Sequence, residues 1–355
     1  MEEHLNEEQR LDFLLVQAEG LPDGETKIQL LEEAIQIADR IQNNDAGFYA
    51  RLELTTAAIY SGRAEKAFLS FAWCLAQYDK DPSYCDEYNL MWQYKWIANQ
   101  VDQFPQLSLD KIEQTLEDLK QRFTYSGFNL RPYYQLKHFV AWRRGDITEA
   151  KMYLEKWMDT PRDDMADCHA CERNEQAIFY LSLGNLEEAY RIAQPIFNQE
   201  LSCAEVPHIT YGQFLLPLCK EGRMEEAAEF HQKGYGMIRQ KKGFLKTLAE
   251  HIKYLTIIDL HKAASLLEHH LPEALASYEP NSKYHFYLAS LILFDYMSDS
   301  DISVLNIPKY VNREWIDQQL FEIAKQFDQR NQNDYYQQKV IQERQWIEDL
   351  KVKIG

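Results

Sequence analysis

The chain has 355 residues, 45% of them hydrophobic and 26% charged, with a formal net charge of −18. Such a length and balance describe a globular protein with a large core, not a disordered one. Asp and Glu outnumber Lys and Arg 56 to 38, which excludes a duplex-binding surface built on clustered cations and makes nucleic acid no partner of this chain by itself. The one short basic cluster, Arg239-Gln240-Lys241-Lys242, reads as a solvated helix end. With only 13 glycines and 11 prolines, long helices joined by short loops fit better than a turn-rich β fold.

The opening stretch MEEHLNEEQRLDF is acidic, without the basic and apolar regions of a secretory signal. No run approaches the roughly 20 apolar residues that span a bilayer. The most apolar stretch, YHFYLASLILFDYM at 284–297, is interrupted. The expectation is a cytoplasmic protein with no membrane contact, whose six cysteines are reduced rather than paired in disulfides.

Residues 1–44 are expected to form an N-terminal helical pair. Within them ETKIQLLEEAIQIADRI (25–41) places Ile28, Leu31, Ala34, Ile35 and Ala38 at helical spacing on one face. Residues 45–275 then repeat. YSGRAEKAF (60–68), RRGDITEAK (143–151), SLGNLEEAY (182–190) and KEGRMEEAA (220–228) each carry glycine, four residues, then alanine. A weaker copy, TIIDLHKAA (256–264), has Ile258 in the glycine place and Ala263 after it; from Gly145 the spacings run 39, 38 and 36 residues. The gap from Gly62 to Gly145 holds two units, the middle one degenerate around 103–116.

Each repeated residue has a physical task. Gly62, Gly145, Gly184 and Gly222 end a helix where the left-handed conformation is needed. Asp146 and Asn185 cap the next helix, and acids such as Glu187 and Glu225 sit in its first turn, where the helix dipole favours them. Ala67, Ala150, Ala189 and Ala227 let the second helix of each pair approach the first. Residues 276–355 are expected to be additional helices capping the stack.

This pattern resembles the tetratricopeptide repeat (TPR) family over about residues 45–270. The G-x-x-x-E-A half of its motif matches at Gly145, Gly184 and Gly222, and Tyr134, Tyr211, Tyr180 and Tyr254 fill its aromatic places. The rest of the first-helix motif is mostly missing, and the units run longer than the family's 34 residues. The resemblance implies an all-α, right-handed superhelix of stacked helix-turn-helix repeats in one continuous solenoid. A non-catalytic scaffold follows from it, binding a protein or peptide along a concave face. First helices would face that groove, with Gln135, Phe139, Trp142, Arg143, Asn174 and Lys220 as its candidate residues.

The stretch DCHACERNEQ (167–176) carries the one constellation with metal chemistry. In this register the first helix of the Gly184 unit begins near Cys171 and that of the Gly222 unit near His208. Neighbouring first helices lie side by side, so the repeat brings Cys168 and Cys171 to Cys203 and His208. Cys3His is the composition of a closed structural zinc site, with His169 or Glu205 as substitutes for the histidine. A metal-free cluster and a redox-active one are the competing readings. D-C-x-x-C followed by C-x-E-x-P-H is similar to a set of bacterial TPR proteins, which implies a bacterial origin and attaches no activity.

Cys74 and Cys219 lie in apolar helices as inert packing, and His269-His270 point too far apart on a helix to share one ion. No HExxH, G-x-S-x-G, P-loop or dinucleotide fingerprint occurs, so the chain reads as no enzyme. Two further readings stand beside the scaffold: a regulatory receptor for a short peptide, and a zinc/thiol switch.

Overall fold

The computed structural model describes residues 5–354 and consists of eighteen α-helices, with short 3-10 turns at Pro82–Tyr84 and Val101–Gln103; no strand occurs among the described residues. The chain divides into two compact units, Met1–Ala166 and Asp167–Gly355.

The first unit contains α1 (Glu7–Glu19), α2 (Glu25–Arg40), α3 (Asn44–Tyr60), α4 (Ala64–Tyr78), α5 (Glu87–Gln100), α6 (Leu109–Tyr125), α7 (Arg131–Arg143) and α8 (Ile147–Asp159). Each helix packs on the next in sequence up to α8, apart from a looser join between α6 and α7. The degenerate unit is α5–α6: a 3-10 turn and a loop replace the tight glycine turn, and Ser108 caps α6 through the Lys111 N–H at 3.2 Å. Trp157 closes the core of this unit, fully buried, and its carbonyl accepts from the Arg131 guanidinium at 2.8 Å.

The second unit contains α9 (His169–Ser182), α10 (Leu186–Phe197), α11 (His208–Lys220), α12 (Met224–Ile238), α13 (Leu245–Ile258), α14 (Leu260–Ala276), α15 (Pro280–Asp295), α16 (Asp299–Ser303), α17 (Arg313–Asn331) and α18 (Tyr335–Ile354). Helices α9 and α10, α11 and α12, and α13 and α14 form hairpins. The first helices also touch one another in a row, α9 on α11, α11 on α13, α13 on α15 and α15 on α17. Helix α15 carries the most apolar stretch of the sequence because it lies against α13, α14, α17 and α18 and is buried on nearly every side.

The hairpin turns obey the repeated residues. Gly62, Gly145, Gly184 and Gly222 have φ of 67°, 87°, 74° and 73°, the left-handed region that a side chain makes costly. At Gly184 the glycine N–H bonds to the Leu181 carbonyl and the Asn185 N–H to Tyr180, at 2.9 and 3.0 Å, which satisfies the last carbonyls of α9. Asp146 and Asn185 then accept from the Glu149 and Glu188 N–H at 2.9 and 3.1 Å. Ala67, Ala150, Ala189, Ala227 and Ala263 are all 0% exposed, so a larger side chain at any of them meets packed neighbours.

Candidate metal centre

The sequence places Cys168 one residue before α9, and it serves there as the helix cap: its Sγ accepts from the Cys171 N–H at 3.3 Å. Cys171 sits one turn into α9, on the side that faces the loop between α10 and α11.

That loop, residues 198–207, folds back on itself and delivers Cys203. Glu200 and Leu201 N–H both bond to the Pro195 carbonyl, at 2.9 and 3.1 Å, and the Cys203 N–H bonds to the Val206 carbonyl at 3.0 Å. Beneath it, Ala170, Ile196 and Val206 form a small buried cluster against which Cys171, Leu201 and Cys203 pack. Apolar packing thus fixes the loop against the start of α9. One buried hydrogen bond fastens the two first helices just below, from the Thr210 hydroxyl to Asn174 Oδ1 at 2.7 Å.

The three thiols converge. The Sγ atoms of Cys168, Cys171 and Cys203 all lie within 4.8 Å of one another, and Cys171 Sγ is 3.3 Å from Cys203 Sγ. Three thiolates on one tetrahedral Zn²⁺ at about 2.3 Å would stand about 3.8 Å apart, so the spacing suits such an ion. No other trio of His, Cys, Asp and Glu ligand atoms comes this close among the described residues.

The electrostatics fit a thiolate centre. The Cys171 thiol, together with the backbone N–H of Glu205 and Val206, holds the Cys203 pKa below its usual value against the cost of burial. Cys171 is pushed up in return, first by its hydrogen bond to Cys203 and then by burial. Burial, then the charge of Cys203, raises the Glu205 carboxyl.

His208 departs from the expectation. It begins α11 as the register required, but it does not join the three thiols. Its ring is buried against Phe244, 5.3 Å between centroids, and burial followed by the charge of Lys241 lowers its pKa. His169 is the first residue of α9, beside Cys168. Cys74 and Cys219 are fully buried, and burial pushes both thiols up to about 12.

Of the groove candidates, Gln135, Phe139 and Asn174 are corrected: they are 3%, 4% and 2% exposed and offer no surface. Asn174 spends its side chain on Thr210, and Phe139 packs edge-on against Trp157. Trp142 is half-buried and stacks on His138, while Arg143 donates to Asp102 and Asn99 at 2.9 and 3.2 Å. Lys220 is exposed at the end of α11.

One cluster escaped the sequence reading. His231, His251 and His270 come from α12, α13 and α14 and gather around Tyr235, with the Nδ1 atoms of His231 and His251 2.9 Å apart. Their spacing of 20 and 19 residues, half a repeat, was the available signal. No protein-family model matches the chain, and no curated protein matches its sequence. No helix of the described residues is long and apolar enough to cross a membrane.

Proposed function

We propose that this protein is a non-catalytic scaffold of TPR-like repeats that binds a protein or peptide segment, and that a structural Zn²⁺ held by Cys168, Cys171 and Cys203 staples two of its repeats. The observation that carries the metal is the convergence of three thiols from two separate segments on one point. Sulfur donors select zinc among the common divalent ions, and the Cys203 thiolate is already favoured by its surroundings. The metal would tie the loop 198–207 to the start of α9, so its binding energy becomes folding energy for this part of the chain. The fourth ligand comes from a residue outside the trio or from water.

Support for the scaffold comes from the resemblance of the repeats to the TPR family and from their execution here, with left-handed glycines and closed alanines at matching places. Stacked helix pairs present successive first helices as one extended surface, the kind that reads a peptide. A random peptide library selected on the zinc-loaded protein tests this reading. Enriched peptides that bind at micromolar concentration and protect first-helix amides from exchange support it; a library that yields no enriched family removes it.

A second reading, a thiol switch, has its own observation: Cys171 and Cys203 Sγ are 3.3 Å apart and Cys168 is exposed. Hydrogen peroxide would oxidise the two thiols to a disulfide, giving two waters and releasing any bound ion. Zinc retained through peroxide treatment, with all three thiols still reducing Ellman's reagent, eliminates the switch.

A further inference from the structure

Helix α18 is held differently from the helices it covers. It packs on α13, α15 and α17, yet among its described side chains only Tyr336, Ile347 and Leu350 are buried, and Ile341 and Val352 are 62% and 80% exposed. Tyr335, Val340 and Trp346 also pack against the core, and polar contacts add to this fastening. Glu343 meets Lys253 of α13 at 2.8 Å, and Arg344 meets Asp295 of α15 at 2.8 Å. Lys351 Nζ reaches the Thr256 carbonyl at 3.2 Å, and Lys353 Nζ donates to the Lys220 carbonyl of α11.

Each member of the central ion pair has a second partner. Lys253 is 3% exposed and pairs within its own helix to Glu250 at 2.6 Å as well as to Glu343. Glu343 pairs within its own helix to Lys339 at 3.8 Å. A buried ion pair is ordinarily hard to break because each charge is left alone. Here each partner keeps an opposite charge on its own helix, so separation strands neither. Against the cost of burial, the charges of Glu250 and Glu343 hold the Lys253 pKa up and those of Lys253 and Lys339 hold the Glu343 pKa down; the pair also selects what may lie on this face. The chain enters the helix through a turn at Gln332, at φ 58°.

We propose that the face formed by α13 and α15 is a binding surface for an amphipathic helix, and that α18 is its built-in occupant, exchangeable for a partner helix of the same chemistry. The partner brings a carboxylate to Lys253, a cation one residue later to Asp295, and apolar side chains four and seven residues after the carboxylate, as Glu343, Arg344, Ile347 and Leu350 do. From the scaffold reading this inference takes only that the partner is a protein; it does not depend on the metal. An intramolecular occupant lowers apparent affinity for a competitor by the fraction of time the surface is free.

The test uses the full chain and a fluorescent synthetic peptide of residues 335–354. Hydrogen exchange on the unaltered protein is expected to show α18 amides opening at least about tenfold faster than those of α13 and α15. Glu343→Lys sets α18 against Lys253 and frees the surface, so this variant is expected to bind the peptide at least about tenfold tighter than the unaltered chain. Adding Lys253→Glu is expected to abolish that gain. Equal protection of α18, α13 and α15 overturns the proposal even if Glu343→Lys fails to fold. So does a folded Glu343→Lys protein that binds the peptide no better. In either case a peptide selected from a random library still distinguishes a failed exchange from a failed scaffold.

Discussion

Replacing Cys171 with serine removes one ligand while keeping the size and the helix. Cys171 and Cys203 lie 32 positions apart, and a cross-link closing a loop of about that length removes about 3–4 kcal/mol of unfolded-state entropy at 25 °C. A metal bridge between the same positions acts on the unfolded chain in the same way. The second unit, Asp167–Gly355, is in the size range where each kcal/mol moves the melting temperature by about 2–4 °C. Cys171→Ser is therefore expected to melt about 10 °C below the zinc-loaded parent in differential scanning calorimetry. A chelator should bring the parent down to the same temperature and leave the variant unmoved. Cys85→Ser, at a half-buried thiol outside the trio, should change little. If Cys171→Ser melts within about 1 °C of the parent and the chelator does nothing, the loop-closure reasoning is wrong.

Acidification should weaken the second unit. His270 is 4% exposed, and burial, then the neighbouring His269, holds its pKa down at about 4. The unfolded chain therefore takes up this proton first as pH falls below about 6.5, so stability present at neutral pH is lost between there and about 4. From pH 7 to 5 the loss is about 1–2 kcal/mol for this imidazole, and His270→Gln should flatten the thermal-melt pH profile by that amount. Ala189→Leu should cost about 1–3 kcal/mol in urea unfolding, because Ala189 is 0% exposed where two helices close together. Asn185→Ala removes the cap on the Glu188 N–H and should cost about 1 kcal/mol, read the same way.

The repeat was legible because its turns are local. Gly184, Asn185 and Ala189 each answer a constraint set within a few residues, and the structure meets all three at the same places. The meeting of Cys171 with Cys203 followed from the repeat length alone, because that length sets which ends of the first helices adjoin. His208 did not follow: the register brings its backbone to the right place, but its ring turns to Phe244. Phe139 and Asn174 were misplaced for a related reason. A helical period shows that a side chain lies on a given face but not what covers it, and Thr210 and Trp157 cover these two. The docking of α18 was illegible as well, since Glu343 and Lys253 are 90 residues apart and nothing in either helix names the other.

A metal held by three thiols shows itself in the zinc content of the protein. Protein purified without a metal-affinity tag is assayed by plasma mass spectrometry, alongside Cys203→Ser. One zinc per chain is expected in the parent, and its loss in the variant. A metal-free parent whose Cys168, Cys171 and Cys203 all titrate as free thiols would contradict it.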